Sequence, residues 1–308
     1  VNIVKAFLES KHRGIASGIS AYFIWGIIPI YWRLLKSIPA TELILYRVLF
    51  SAVTTFLFVL FFQKLKILIK AVKDKSNLWK YSLSAFLIAI NWFIYIYAVL
   101  TNRTIQASLG YYLCPIFVVL LGNFVFKEKI SKSTLLSLVI ISIGIIFQII
   151  SIGEFPWIAI SLASSFALYG LVKKFSKLDA FIGLTLETQI LLPFSIVGLY
   201  FMNMNQQIHI YSSSLYVLIL IIISGLVTSL PLMFYGDAVR HCKFSTVGVL
   251  QYIAPTLQFL SGWLLFNEQV TIKTVIVFLI VVFGLIIFCL QPLEKINVFK
   301  IKRNSSLY

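Results

Sequence analysis

Two ionisable side chains interrupt long apolar runs in this sequence: Arg47 in LYRVLF and Glu187 in TLETQI. They stand 140 residues apart. A charge at the centre of a membrane helix costs about 2.5–3.5 kcal/mol on insertion scales, so a chain that keeps one there has a use or a partner for it. A guanidinium stays protonated at any relevant pH, so Arg47 could hold an anionic group or polarise a polar one. A carboxyl can lose and regain a proton, so Glu187 could bind a cation or exchange a proton, and it is the coupling-ion candidate. The alternative for each is a place close to the membrane interface, where it snorkels or pairs locally.

Other polar-tipped residues lie in the same kind of run: Trp25, Asn91, Tyr95, Tyr112, Tyr169, Gln251 and Tyr252. Facing inward, they would give an amphiphilic solute a mixed aromatic and hydrogen-bonding surface. With Arg47 and Glu187 they form the candidate substrate-binding set. Facing elsewhere, they would join helix to helix or sit in an interfacial aromatic belt. Pro29, Pro115, Pro193, Pro231 and Pro255 also fall inside apolar runs. Each removes a backbone donor and can bend its helix. Pro29, Pro115, Pro231 and Pro255 are the hinge candidates, with static kinks as the alternative. Gly26, Gly110, Gly122, Gly170 and Gly262 suit close helix packing.

Catalytic signatures are missing from the sequence. It has no G-x-S-x-G elbow, P-loop, H-E-x-x-H pair or Gly-rich dinucleotide motif. The three cysteines, Cys114, Cys242 and Cys289, are odd in number and lie in or beside apolar runs, which argues against a disulfide framework. His12, His209 and His241 are scattered and show no metal-ligand spacing. The expectation is no enzyme, no metal and no cofactor. Without a nucleotide-binding domain, any transport would be facilitated or driven by an ion or solute gradient.

The elements that must carry these residues follow from composition. Of 308 residues, 60% are hydrophobic and 12% charged, against about 25% charged in soluble domains. The net charge of +16 could suggest nucleic acid, but the basic residues occupy short gaps between apolar runs, with no room for a basic domain. Ten stretches approach the 20 or so apolar residues that span a bilayer: Gly14–Trp32, Leu43–Phe62, Tyr81–Leu100, Ile105–Phe126, Ser133–Ser151, Phe155–Val172, Phe181–Met202, Leu215–Tyr235, Phe244–Phe266 and Thr274–Leu290. The first reads as a membrane helix rather than a signal h-region, which suits a plasma or bacterial inner membrane. The longest gap, Gln63–Lys80, is basic and has the pattern of an amphipathic surface helix.

Charge sets the orientation, because lysine and arginine favour cytoplasmic loops. With a cytoplasmic N-terminus, alternation leaves only Arg33, Lys36, Arg103 and Lys273 of the 26 basic residues on the far side, with Arg47 inside a span. Lys173, Lys174 and Lys177 count as a cytoplasmic gap in this scheme. Both termini are then cytoplasmic.

The chain also repeats itself. From Ser108 it reads SLGYYLCPIFVVLLGNFVFKE and from Gly248 it reads GVLQYIAPTLQFLSGWLLFNE. At an offset of 140, Tyr112, Pro115, Leu120, Gly122, Phe126 and Glu128 match Tyr252, Pro255, Leu260, Gly262, Phe266 and Glu268. The register extends through Tyr95/Tyr235, Ala98/Ala238 and Gly144/Gly284, and it makes Arg47 and Glu187 symmetry mates. The expected organisation is a first five-helix repeat over 14–151, a second over 155–290 and a basic cytoplasmic tail over 291–308. Five being odd, the halves cross the membrane in opposite senses. Inverted repeats of this kind place a substrate site near the midplane between them; the alternative is that duplication records ancestry only.

At these residues the sequence resembles the EamA-type transporters of the drug/metabolite transporter superfamily, and more narrowly the RarD (chloramphenicol-sensitivity) subgroup. The matching stretches are AYFIWG from Ala21, PATELILYRV from Pro39, NW from Asn91, ASLGY from Ala107 and Pro115. They continue with SFALYGLV from Ser165, LET at Leu186, LLP at Leu191, PL at Pro231 and QYIAPT from Gln251. Gln106 stands where the subgroup is expected to carry an acidic residue, and Asp237 where it is expected to carry a small one. The resemblance implies an all-α membrane protein of ten helices with cytoplasmic termini. The resemblance gives no substrate; the leading expectation for function is a secondary active or facilitative exporter or exchanger of small polar or amphiphilic metabolites or drugs. The competing expectation is a membrane receptor or scaffold that moves nothing. The expected partners are a small-molecule substrate and membrane lipid, with no nucleic acid and with a monomer sufficing.

Overall fold

The computed structural model describes residues 2–152, 155–176, 178–273, 275–284 and 286–287. Among them the chain is helical throughout and has no strand. The helices are α1 (Asn2–Leu34), α2 (Ala40–Phe61), α3 (Leu65–Lys73), α4 (Lys75–Leu100), α5 (Thr104–Phe126), α6 (Lys132–Ile152), α7 (Trp157–Phe175), α8 (Ala180–Met204), α9 (Leu215–His241), α10 (Phe244–Leu250) and α11 (Ile253–Leu260). A shorter apolar helix, α12, covers Val275–Gly284. The expected tail over 291–308, Cys289, and the end of the tenth apolar stretch lie outside the described residues.

Seven helices are long and apolar enough to cross a membrane by length and composition: α1 from His12, α2, α4 from Leu78, α5, α7, α8 and α9. Lys132–Phe147 of α6 and α12 are apolar but shorter. In lipid, a helix satisfies every backbone group within itself, which is why long apolar runs take this form. The burial pattern reverses that of a soluble protein. Phe23, Leu57, Phe61, Phe86, Phe194 and Ile222 are exposed, while Ser51, Thr55, Ser84, Asn91, Thr185, Thr188, Ser224 and Thr228 are buried.

Two compact units divide the described chain. The larger comprises 2–122 and 157–268, and the smaller comprises the described residues within 123–156 and 269–287. In the larger, small polar groups join the helices. Thr55 and Thr188 hydroxyls lie 2.9 Å apart, Gln189 Nε2 donates to the Ala52 carbonyl at 2.9 Å, and Ser195 Oγ donates to the Leu45 carbonyl at 2.6 Å. Backbones also come close where side chains vanish: a Cβ on Gly110 would lie 2.8 Å from the Ala159 Cα. In the smaller unit, the repeat mates Gly144 and Gly284 each face the opposite helix. A Cβ on Gly144 would meet Ile280, and one on Gly284 would meet Ile141. Ser137 Oγ donates to the Gly284 carbonyl at 2.6 Å.

The basic gap forms α3. Leu68 and Ala71 are buried while Lys66, Lys70 and Lys73 are exposed, as an amphipathic surface helix requires. The ninth apolar stretch differs from the expected single helix. It breaks at Gln251–Tyr252 between α10 and α11 and ends in a π-helical turn, Ser261–Leu265. Pro255 contributes to the break. An α-helix would bond the amide of residue 255 to the Gln251 carbonyl, and proline has none. Ala254 N bonds that carbonyl instead, at 3.1 Å, which tightens the turn. Pro29, Pro115, Pro193 and Pro231, by contrast, sit within the unbroken helices α1, α5, α8 and α9.

Candidate functional site

A cavity opens within the larger unit. Its wall comprises Tyr22, Trp25 and Ile28 of α1, Arg47 of α2, Ile88, Asn91, Trp92 and Tyr95 of α4, and Tyr111 of α5. Phe166 of α7, Gln251 of the α10–α11 turn, and Ala254 and Gln258 of α11 complete it. The α4 residues recur at positions i, i+3, i+4 and i+7, so one helical face supplies all four. The cavity encloses about 480 Å³ of empty space, its mouth included.

Arg47 is 3% exposed. Its Nε donates to Thr228 Oγ1 at 2.9 Å. The guanidinium carbon lies 4.5 Å from the Trp92 ring centroid and 4.8 Å from that of Trp32, so two aromatic faces flank the cation. Nη1 is buried and hydrogen-bonds to no protein atom. No carboxylate of the described residues forms an ion pair with Arg47.

The rest of the wall mixes fixed and open polar groups. Asn91 is fully engaged: Nδ2 donates to the Leu162 carbonyl and to Ser165 Oγ, both at 3.0 Å, and Oδ1 accepts from the Tyr111 hydroxyl at 3.1 Å. It ties α4 to α5 and α7. Gln258 Nε2 donates to the Trp25 carbonyl at 2.9 Å, which leaves Oε1 without a partner. Gln251 Oε1 and the hydroxyls of Tyr22 and Tyr95 also have none. Trp25 packs on Tyr22, Phe166 and Tyr235 with centroids 5.5–5.6 Å apart.

Glu187 lies elsewhere. Its Oε1 sits 2.8 Å from Lys173 Nζ and accepts from Ser84 Oγ at 2.5 Å, and its Oε2 accepts from the Tyr169 hydroxyl at 3.2 Å. Both ions are buried, at 1% and 5% exposure, and the ammonium also lies over the rings of Tyr81 and Tyr169. Arg47 and Glu187 therefore make no ion pair with each other. Lys173, expected in a gap between spans, is helical instead: α7 continues through it, and the side chain turns inward to the carboxylate. Lys174 turns the other way and donates to the Val239 and Cys242 carbonyls at 2.8 and 2.6 Å, at the end of α9.

Of the expected substrate-binding residues, the cavity thus gathers Trp25, Arg47, Asn91, Tyr95 and Gln251. Tyr169 and Glu187 belong to the ion-pair cluster. Tyr112 and Tyr252 stack on each other, 6.3 Å apart at 30°, and Tyr112 donates to Thr256 Oγ1 at 3.4 Å. Several polar residues outside the expected substrate-binding set have clear roles. Gln258 and Trp92 line the cavity. Glu42 is fully buried and accepts from the backbone amides of His209 and Ile210 at 2.9 and 3.1 Å. Glu268 accepts from the Ile105 amide at the start of α5, at 3.2 Å; the repeated Glu at 128 and 268 was its only sequence signal. Asp237 takes two bonds from Arg13 and one from Ser17, tying α9 to α1.

An apolar helix bundle with polar groups turned inward around a cavity is the build of a multi-pass membrane protein. The model of the EamA-like transporter family matches residues 12–150. An uncharacterised transporter of Bacillus subtilis (strain 168), YojE, is 35% identical over 84% of this chain and 87% of its own length. Protein RarD of Escherichia coli (strain K12) is 31% identical over 92% of this chain and 96% of its own. A solved crystal structure with 14% identity superposes with a TM-score of 0.66 over 90% of this chain and 97% of the other, and so shares the fold. The chain belongs to the EamA-like transporter family and is RarD-like. It is a membrane transporter, and its relatives are named as transporters rather than enzymes.

Proposed function

We propose that the protein is a secondary active or facilitative transporter that exports or exchanges small polar or amphiphilic metabolites or drugs. It works by alternating access between two inverted five-helix repeats, over 14–151 and 155–290. In this reading ten helices cross the bacterial inner membrane and both termini are cytoplasmic, as the distribution of basic residues requires.

One observation carries the reading. The cavity wall draws on both repeats: Tyr22, Trp25, Arg47, Asn91 and Tyr95 come from the first, and Phe166, Gln251, Ala254 and Gln258 from the second. Movement of one repeat against the other therefore changes access to a site that both help to build. The stacking of the mates Tyr112 and Tyr252 supports a two-fold relation between the halves. Glu187 is the proton candidate in this scheme. Taking up a proton would remove the charge that holds Lys173 and would loosen the α7–α8 junction.

The test is a metabolite-wide comparison of cells with and without the protein. A transporter of this kind changes the distribution of at least one small solute across the membrane. Identical intracellular and extracellular profiles under every growth condition would contradict it.

A further inference from the structure

We infer that the cavity takes a small organic anion with a flat apolar body, its oxyanion held by the free Nη1 of Arg47. The inference rests on the proposal that this cavity is the transport site, and it adds the chemical class of the cargo.

A buried guanidinium with no counter-ion is costly, because taking it out of water loses several kcal/mol of solvation. Thr228 and the faces of Trp32 and Trp92 recover part of that. They leave one buried donor unused, in a residue that lines the cavity. The repeat mate makes the contrast plain. Glu187 has its counter-ion in Lys173 at 2.8 Å, whereas Arg47 has none among the described residues. An oxyanion supplies both the missing charge and the missing acceptor, and charge-assisted bonds of this kind are the strong ones.

The walls exclude the other classes. No acidic residue lines the cavity, so an amine would meet the Arg47 charge without compensation. A neutral solute would leave that charge unpaired. The Trp25, Phe166 and Tyr95 rings suit a flat apolar body. Gln258 fixes the second polar requirement. Its amide nitrogen is committed to the Trp25 carbonyl, so its free oxygen wants a donor, such as a hydroxyl, on the same solute.

Three probes that share a 4-hydroxyphenyl ring and differ in the charge of the end group test this: 4-hydroxyphenylacetate, 4-hydroxyphenylacetamide and tyramine. Binding to the purified full-length protein is read by thermal shift and tryptophan fluorescence, and flux is read in reconstituted vesicles. The carboxylate should bind roughly 10- to 100-fold more tightly than the amide, the range expected for one hydrogen bond to a charged group. R47Q should lose that preference, and R47K, which keeps the charge, should retain part of it. Comparable binding of all three probes to the native protein, or of none, overturns the inference without reliance on any variant. Flux of the amide or amine in place of the carboxylate overturns the inference but leaves the transport reading standing. Preferential binding of the carboxylate without flux of any probe upholds the anion site and counts against transport.

Discussion

Tyr112 and Tyr252, 140 residues apart in the chain, stack ring on ring with centroids 6.3 Å apart. In the proposed inverted-repeat organisation, a local two-fold axis would bring each of these residues onto its own mate. The two rings should be energetically coupled. A double-mutant cycle with Y112A and Y252A, read by thermal melting in detergent, should give a coupling of about 0.5–1.5 kcal/mol, the usual value for an aromatic pair. Strict additivity of the two substitutions would mean that the stack contributes nothing to joining the halves.

The Lys173–Glu187 pair should behave as a buried ion pair does. Removing the ammonium in K173M strands a carboxylate, at a cost of about 3–5 kcal/mol. The double variant K173M/E187M removes both charges and should recover much of the loss. Melting temperatures of the single and double variants decide this. A K173M protein as stable as the native one would show that the pair is dispensable.

Glu187 also carries the proposed proton coupling. It faces Lys173 and Tyr169 from α7 and Ser84 from α4, with Tyr81 beneath the ammonium and Tyr235 of α9 stacked on Tyr169. No other carboxylate lies among these neighbours. E187Q keeps the hydrogen-bond acceptor but cannot exchange a proton. It should abolish flux driven by a pH gradient while leaving solute-driven exchange measurable. Proton-driven flux at the native rate in folded E187Q would take the residue out of that role.

Pro255 contributes to the break in the ninth apolar stretch, next to the cavity residues Gln251, Ala254 and Gln258. P255A restores the missing amide and, in an ordinary helix interior, relieves up to about 3 kcal/mol. The variant should melt at or above the native temperature and transport more slowly, because the turn at Gln251 straightens. Equal flux would make the break a static kink.

Much of this was legible in the sequence because lipid is a strict solvent. It demands long apolar runs, so the helices could be read from composition, and it makes a lone charge such as Arg47 conspicuous. Lys173 was not legible for an equally physical reason. Successive residues on a helix point about 100° apart, so of two adjacent lysines one can turn inward and the other outward, and composition does not say which. A weak signal existed: Arg33 lies 140 residues before Lys173 and is also basic, and it too finds a partner, donating to Asn102 Oδ1 at 2.9 Å. Gln258 had no such help, since its repeat position is Val118. The matched Pro115 and Pro255 show the limit of motif reading, because the same residue in the same register sits within an intact α5 but beside the break between α10 and α11.

The central claim is that solute crosses the membrane through the cavity that both repeats build. Vesicles containing the purified protein, loaded with a bacterial metabolite extract, test it most directly. A control is A254W, which fills the cavity from its wall and is verified as folded by melting and size-exclusion behaviour. The account predicts that native vesicles release at least one small solute faster than both protein-free and A254W vesicles. Release at the protein-free rate for every solute, or release that A254W does not slow, would contradict it.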